Sequence, residues 1–390
     1  MSKVCIKVGQ TQGDIITQTN VGLQAAIDYV SCLGGGVVEI LSGQYRMNDS
    51  LHLRSGITLR GQGDQTVLMK DAGVVSRLAV DGDYGEEQIT VTEPKNFSVG
   101  MGLNIMDDRA QGFHVTVATV IGVNGEAIQL NSPLRADYLV DLNAKVANAF
   151  PIISGYNISN VVVESLAING NKEQNQPING CRGAGIYLNS AESVVIRNCS
   201  VLDFYGDGIS YQKSHNVVVE NCVTKQNSCY GLHPGSGSQC TIVRNCSSTH
   251  NGQVGLFICW RVKHGIFEGN TLCANGKSGI SIGHKDTDNV ICDNIISNNA
   301  KHGIYFRPER IETAAHDNII KDNQIIDNGD GEEGYGIRID SLVHGVVIQN
   351  NTIGNSPNGQ SYQKQGVFSK YTDNEIDISM NHFSTEPDPS

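Results

Sequence analysis

A short phrase, glycine followed by isoleucine or leucine, recurs seven times between residues 185 and 340, mostly at intervals of 23 or 24 residues. A fixed period of this length is typical of solenoids, in which each repeat buries its apolar face only by stacking on its neighbours. The repeats carry β-branched runs bounded by Asn, Gly, Ser and Asp, without a helical period. The sequence therefore predicts an all-β fold, a parallel β-helix. The seven copies begin at Gly185, Gly208, Gly231, Gly255, Gly279, Gly303 and Gly336.

Alternation along each copy predicts which side chains point outward. Successive strand residues point to opposite faces, so Ile280 and Ile282 point inward while Ser281 and Gly283 point outward. Stacked strands lie about 4.8 Å apart, so the outward residues of successive copies should form a flat, solvent-facing strip. The small residues Gly235 and Gly283 should leave a groove between larger neighbours on this strip.

Two smaller regions depart from the repeat. Residues 21–32 have the apolar spacing of a short amphipathic helix, which Asn20 would cap, and this helix would cover the open end of the solenoid. Residues 71–150 lack the phrase and alternate in strand fashion around Asn124-Gly125, a hairpin signal. We therefore predict a cap with the first rungs at 1–70, an inserted β-subdomain at 71–150, the main β-helix at 151–384 and a disordered tail at 385–390.

The N-terminal region resembles a known superfamily. Its pattern includes Ala25-Ala26-Ile27, Gly34-Gly35-Gly36-Val37-Val38 and Gly56-Ile57-Thr58-Leu59-Arg60-Gly61-Gln62-Gly63. This is similar to the entry of the pectate-lyase-like right-handed β-helix superfamily. The resemblance implies a right-handed solenoid, but the superfamily hosts lyases, hydrolases, epimerases and phage tailspikes, so it does not specify a reaction.

Two inner stretches resemble carbohydrate-active members. Tyr230-Gly231-Leu232-His233-Pro234 resembles the Tyr-Gly-Phe-Asp-Pro-His motif of mannuronan C5-epimerases, with His233 in place of the Asp and Gly235 in place of the His. Residues 278–283 resemble the GHGxSxG stretch of polygalacturonases, with Ser278 in place of the His. Both resemblances imply a carbohydrate-facing solenoid, and both catalytic motifs are incomplete.

Chemistry-bearing residues concentrate on the third to sixth copies. Aromatic rings can stack on sugar faces, and Arg and Lys can bind carboxylates. From Phe257 to Arg310 there are seven basic residues and five acidic ones, although the whole chain carries a formal charge of -12. The predicted substrate-binding residues are Phe257, Trp260, Arg261, Asp286, His302, Glu309 and Arg338. The predicted catalytic residues are His233, His284, Tyr230, Tyr305, Lys285 and Arg307.

A lyase acting on a uronate needs a cation for the carboxylate, a base for the C5 proton and an acid for the leaving oxygen. Arg261, Lys285 or Arg307 could supply the cation, His233 or His284 the base, and Tyr230 or Tyr305 the acid. A glycoside hydrolase or a transferase would instead need two carboxyls, and Asp286 with Glu309 is the candidate pair. A non-catalytic carbohydrate-binding or assembly protein is the third hypothesis.

Composition bears on partners and compartment. The net charge of -12 argues against a general nucleic-acid binder, and no apolar run approaches a membrane span. The substrate should be a poly- or oligosaccharide, and a homodimer or homotrimer is possible. No signal peptide is visible, which predicts a cytoplasmic protein, or a secreted or periplasmic one if a leader was removed. We expect no cofactor and no metal, with calcium left open.

Two columns of polar residues repeat with the same period as the glycine phrase. Cys199, Cys222 and Cys246 should stack as a buried ladder of free thiols, one part of the 11 cysteines. An asparagine that follows each apolar run should be an internal ladder residue or a turn residue. This second column comprises Asn198, Asn221, Asn245, Asn270, Asn294 and Asn323.

Overall fold

The computed structural model describes residues 4–356 and 362–384. The chain divides into two compact units. The first comprises Met1–Gly155, Ser165–Tyr187 and Val201–Ser210, and the second comprises Tyr156–Glu164, Leu188–Ser200 and Tyr211–Ser390. The tail predicted at 385–390 lies outside the described residues. No helix among the described residues is long and apolar enough to span a membrane.

The one α-helix among the described residues, Asn20–Cys32, belongs to the first unit. Its buried side chains Leu23, Ala26, Ile27 and Val30 follow the spacing of one helical face. They pack against parallel strands at the start of the chain, which confirms the predicted capping helix. The predicted cap at Asn20 is wrong: Thr19 is the N-cap, and the Asn20 side chain accepts a hydrogen bond from the Asn48 N–H at 3.2 Å instead. The strands of this part are Val4–Gly9, Ile15–Ile16, Gly36–Ile40, Gly43–Met47, Leu51–His52 and Ile57–Lys70.

The inserted β-subdomain is a six-stranded antiparallel sheet within the first unit. Its hairpin pairs Asn124 with Ala127, and Gly125 supplies the positive φ of 62° that the turn requires. The sheet buries its own apolar cluster, including Leu103, Ile105 and Val146. Its strands are Val75–Arg77, Gln88–Thr90, Gly102–Met106, Thr116–Asn124, Ala127–Leu130 and Lys145–Ala147.

Short 3-10 turns occur at Pro94–Asn96, Val140–Leu142, Lys172–Gln174 and Ile311–Thr313.

The second unit is built from three ribbons of short parallel strands, the arrangement of a β-helix. The ribbon that carries the Gly-Ile phrase is called the groove sheet and contains Leu232–Pro234, Leu256–Phe257, Ile280–Ile282, His302–Phe306, Tyr335–Ile339 and Gln365–Ser369. The second ribbon contains Glu192–Arg197, Val218–Glu220, Ile242–Arg244, Ile266–Glu268, Val290–Cys292, Ile319–Lys321, Val346–Gln349 and Ile376–Ser379. The third contains Val223–Lys225, Ser247–Thr249, Thr271–Cys273, Ile295–Ser297, Gln324–Ile326, Thr352–Gly354 and His382–Ser384. Strands with residues in both units are Ile153–Tyr156, Ser159–Asn169, Ala184–Asn189, Ser200–Leu202 and Asp207–Gln212.

Register on the groove sheet follows the predicted repeat. Ile280 pairs with Ile304, and Ile304 pairs with Ile337. All three side chains are fully buried, so the inward parity of the phrase is confirmed. The outward residues consequently line up along the other face of this sheet.

The predicted asparagine column occupies two different structural positions, a turn and a buried ladder. Asn198, Asn221 and Asn245 adopt positive φ at a turn, and the buried thiols Cys199, Cys222 and Cys246 follow them, as predicted. In the later copies the ladder position itself is asparagine. The Asn270 Nδ2 donates to Asn294 Oδ1 at 3.0 Å, and the Asn294 Nδ2 donates onward at 2.9 Å to the next residue of the column, Asn323. Both predicted roles therefore occur, each in a different part of the column.

Candidate functional site

A pocket of about 430 Å³ lies on the outer face of the groove sheet, within the second unit. It is formed by side chains from the strands and from the turns that precede them. The pocket combines aromatic faces with basic groups. Its lining residues are Tyr230, Gln253, Val254, Phe257, Lys277, Ser278, Ser281, Lys301, His302, Tyr305, Arg307, Glu333 and Arg338.

One wall of the pocket is aromatic. Tyr230 and Phe257 stack with ring centroids 4.0 Å apart and planes 14° apart. His233 meets both rings edge-on, at 5.4 Å and 5.2 Å, and is only 2% exposed. His233 therefore lies against this wall and is not among the lining residues, because the two aromatic rings cover it.

Arg307 forms the next part of the pocket. Its guanidinium lies 4.6 Å from the Phe257 ring centroid and donates hydrogen bonds to the Ser281 hydroxyl and the Ile258 carbonyl, both at 2.9 Å. It also pairs with the Asp286 carboxylate at 3.2 Å. A Cβ at Gly283 would lie 2.7 Å from the Arg307 Nε. These contacts fix the guanidinium in one position.

The predicted groove at Gly235 and Gly283, on a solvent-facing strip of outward residues, is therefore wrong. Gly283 leaves room that the Arg307 side chain fills, and Gly235 leaves room that the Gln212 side-chain amide fills. Ser281 is 3% exposed for the same reason. The groove between large residues lies instead over the Phe257, Tyr305 and Lys301 side chains.

Asp286 lies beneath Arg307 and is fully buried. Burial raises the pKa of its carboxyl to about 6, and the nearby Arg307 charge offsets part of that effect. The Asp286 oxygens accept the Val262 N–H at 3.0 Å and the Gly283 N–H at 2.8 Å. Asp286 thus anchors both the turn and the guanidinium.

The opposite wall contains a carboxylate–arginine–tyrosine cluster. The Tyr305 hydroxyl donates to Asp340 Oδ2 at 3.0 Å, and Arg338 Nε donates to Asp340 Oδ1 at 3.0 Å. Arg338 also reaches the Glu333 carboxylate at 3.4 Å. Burial, reinforced by the hydrogen bond to Asp340, raises the pKa of the Tyr305 phenol to about 12. Tyr305 is therefore protonated at neutral pH.

His302 lies between this cluster and the lysine side of the pocket. Its ring centroid is 5.2 Å from that of Tyr305 and 5.5 Å from that of Tyr335, and the residue is 4% exposed. Burial, followed by the Arg338 charge, lowers the pKa of His302 to about 4. Its Nδ1 is buried without a hydrogen-bond partner among the described residues. The imidazole is neutral at physiological pH.

The pocket brings together six of the thirteen predicted site residues, namely Tyr230, Phe257, His302, Tyr305, Arg307 and Arg338. The others lie elsewhere. His233 and Asp286 are buried behind the lining, while His284 and Glu309 pair with each other at 3.0 Å. The exposed residues Trp260, Arg261 and Lys285 follow the groove strands in the chain.

Seven lining residues were not among the predicted site residues, namely Gln253, Val254, Lys277, Ser278, Ser281, Lys301 and Glu333. Three of them stand two residues before the repeated glycine, at Gly255, Gly279 and Gly303. Backbone hydrogen bonds stack them in one column, because the Lys277 N–H donates to the Gln253 carbonyl at 2.6 Å and the Lys301 N–H donates to the Lys277 carbonyl at 2.8 Å. Counting the repeat backwards from each glycine would have found them.

Metal ligands do not cluster in the part of the chain that the structure describes: no group of three or more His, Cys, Asp and Glu side chains there could hold a metal ion. The pocket itself contributes four basic side chains, Lys277, Lys301, Arg307 and Arg338. Three carboxylates partner them or lie directly behind them, Glu333, Asp340 and Asp286. The lining thus favours an anionic ligand.

The three ribbons of parallel strands and the site on their outer face define a solenoid protein of the β-helix class. The chain belongs to the right-handed β-helix family: the model of the right-handed β-helix region matches residues 102–261 and 184–353. No curated protein matches the chain.

Solved structures share the architecture at low sequence identity. The A-module of the Azotobacter vinelandii mannuronan C-5 epimerase AlgE4 is 17% identical, with a TM-score of 0.56 over 95% of this chain and 94% of that chain. The Dettilon tailspike protein is 14% identical, with a TM-score of 0.60 over 95% and 60%. A glycoside hydrolase is 12% identical, with a TM-score of 0.55 over 97% and 96%. At these identities the likeness establishes the fold, which agrees with the predicted superfamily.

Proposed function

We propose that this protein is a carbohydrate-active enzyme that cleaves an acidic, uronate-containing poly- or oligosaccharide by β-elimination. The observation that carries the proposal is a pocket in which aromatic faces, four basic side chains and a neutral imidazole meet. Structural neighbours named as a mannuronan C-5 epimerase and as a glycoside hydrolase add support for a carbohydrate substrate. Aromatic rings suit sugar faces, and guanidinium groups suit carboxylates.

Elimination requires three groups around the uronate. The base takes the C5 proton, the electrons of the C5–H bond form the C4–C5 double bond, and the C4–O bond breaks as the leaving oxygen takes a proton. We assign the base to His302, the carboxylate partner to Arg338 and the acid to Tyr305. These three residues line one side of the pocket. The assignment replaces His233 and His284, which are absent from the lining.

The electrostatics of His302 support this assignment. Its pKa of about 4 reflects burial and the Arg338 charge. A substrate carboxylate bound at Arg338 would offset that charge and raise the imidazole pKa towards the range in which a base is effective. Substrate binding would therefore activate the base, while the free enzyme keeps it neutral.

Hydrolysis with two carboxyls is the second candidate. Arg338 contacts two carboxylates at the pocket, those of Asp340 and Glu333. A general acid needs a raised pKa, whereas hydrogen bonding to Lys301 lowers the pKa of Glu333. Asp286 has a raised pKa but is fully buried behind Arg307. These facts favour elimination over hydrolysis.

Product analysis tests the proposal. The protein is incubated with panels of acidic and neutral polysaccharides, and ultraviolet absorbance of unsaturated uronate ends is recorded beside reducing ends. We expect both signals with an acidic polysaccharide, and no loss on adding a calcium chelator because Arg338 binds the carboxylate. Reducing ends without absorbance would indicate hydrolysis. Binding without either signal would indicate a binding protein.

A matched pair of variants tests the base. His302→Gln should lower the elimination rate by about 100-fold or more, the usual contribution of a general base. His264→Ala removes an exposed histidine outside the pocket lining and should leave the rate unchanged. Circular dichroism melting of both variants checks that they are folded. An unchanged rate in His302→Gln would refute the assignment.

A further inference from the structure

We propose that Trp260, with the adjoining His284–Glu309 pair, forms a second sugar-binding subsite outside the pocket, so that the ligand is a chain longer than the pocket holds. This inference rests on the proposed function and extends it to the length of the saccharide. Trp260 is absent from the pocket lining but lies three residues after the end of the groove strand Leu256–Phe257 in the same repeat.

The backbone at Trp260 is unusual for a bulky residue. Trp260 and Arg261 adopt consecutive positive φ values of 57° and 68°. Among the described non-glycine residues in that region of φ, Trp260 is the only one with a Phe, Tyr or Trp side chain. Such a conformation costs energy and persists only where surrounding contacts enforce it. Here the Trp260 carbonyl accepts the Gly237 N–H at 2.7 Å, and the Arg261 N–H donates to the His284 carbonyl at 2.8 Å.

This backbone presents the indole as a supported platform. The Trp260 residue is 48% exposed, and its ring lies 5.0 Å from the His284 ring at an angle of 37°. The His284 Nδ1 is 3.0 Å from Glu309 Oε2, which also accepts the Thr313 hydroxyl at 3.0 Å. The platform is therefore held from one side and open to solvent on the other. An exposed aromatic face of this kind suits the C–H face of a pyranose.

Arg307 connects the platform with the pocket. Its Nη2 donates to the carbonyl of Ile258, two residues before Trp260, while the same side chain lines the pocket. A saccharide lying along the strand direction would pass from the pocket over Arg307 to the indole. In the sequence the exposed Arg261 follows Trp260 and the exposed Lys285 follows His284, whose ring lies beside the indole, and both favour an acidic sugar there.

The single tryptophan of the chain makes the subsite directly observable. Emission of Trp260 is recorded while the full-length protein is titrated with oligogalacturonates and oligomannuronates of two to six units, and with malto-oligosaccharides as neutral probes. We expect a saturable emission change with acidic hexamers and little change with dimers. Calorimetry on the same samples measures affinity independently of fluorescence.

Variants separate the subsite from the chemistry. Trp260→Ala should weaken hexamer binding by about tenfold, which corresponds to about 1.4 kcal/mol, and leave dimer affinity unchanged. Tyr29→Ala, an exposed aromatic on the N-terminal helix, is the matched control and should change neither.

Each outcome decides between the two proposals. Elimination products with unchanged Trp260 emission and unchanged affinity of Trp260→Ala would overturn the subsite alone. An emission change without any unsaturated product would keep the subsite and overturn the elimination. Absence of calorimetric binding for every oligosaccharide would overturn both.

Discussion

Asp286 offers a quantitative test of how the pocket is built. Its carboxyl is fully buried, and this burial is the main reason that its pKa is raised from the ordinary range of an aspartate to about 6. Because the folded-state pKa lies above the unfolded one, the folded protein binds more protons between about pH 4 and pH 6. The contribution of Asp286 to the free energy of unfolding therefore falls as pH rises through this window. A shift of about two units corresponds to about 3 kcal/mol.

The perturbation is Asp286→Asn, which keeps the side-chain shape but cannot ionise. The Asn oxygen can accept only part of the bonds that Val262, Gly283 and Arg307 donate to the carboxylate. We expect a constant penalty of about 1–3 kcal/mol for the lost acceptor. On top of this, the free energy of unfolding of the wild type minus that of the variant should decrease by about 3 kcal/mol across the window.

Urea unfolding followed by circular dichroism, repeated at several pH values, measures this difference. The matched control is Asp288→Asn, which removes an exposed carboxylate from the same turn. Parallel stability curves for the wild type and Asp286→Asn would refute the reasoning, because they would mean that the Asp286 carboxyl titrates alike in both states. A difference that grows with pH would mean that Arg307 outweighs burial.

Three further predictions concern the ladder and the pocket. Asn294→Ala should destabilise the protein by about 2–5 kcal/mol in urea unfolding, because the Phe267 carbonyl and the ladder neighbours lose buried partners. Histidine NMR titration should find the pKa of His302 near 4, and Arg338→Gln should move it upward because a nearby positive charge is removed; an unmoved value would contradict this. Tyr305→Phe should lower kcat by about 100-fold with a much smaller change in KM in steady-state assays, and equal activity would exclude Tyr305 as the acid.

The periodic part of the sequence predicted the fold because a solenoid repeats its geometry. Once Ile280, Ile304 and Ile337 are known to be equivalent, stacking dictates their neighbours. The same logic located the cysteine ladder. It did not predict the shift between Asn245 and Asn270, because local hydrogen bonding selects one residue or the next without changing the period. The cap at Asn20 was predicted from a local helix signal and was wrong because the Asn20 side chain binds the Asn48 N–H instead.

The pocket was harder to predict because its side chains come from two sources. The strand residues Phe257 and Tyr305 follow the alternation, whereas Lys277, Lys301 and Glu333 come from the turns before the strands. Turns do not obey the two-residue period, so parity does not determine where their side chains point. His302 was found as a candidate, but its neutral state depends on burial and on Arg338, two features of the folded chain.

Gly283 shows why outward direction alone does not identify a ligand surface. A missing side chain on a stacked sheet creates room that either a substrate or a neighbouring rung can occupy. At Gly283 the neighbour is Arg307, whose guanidinium is held there by its ion pair with the buried Asp286 carboxylate. The Arg307 charge is therefore partly neutralised by Asp286 inside the protein, whereas the Lys277 ammonium donates to the neutral Gln253 amide oxygen at 3.3 Å. An anionic substrate should accordingly depend more on Lys277 than on Arg307.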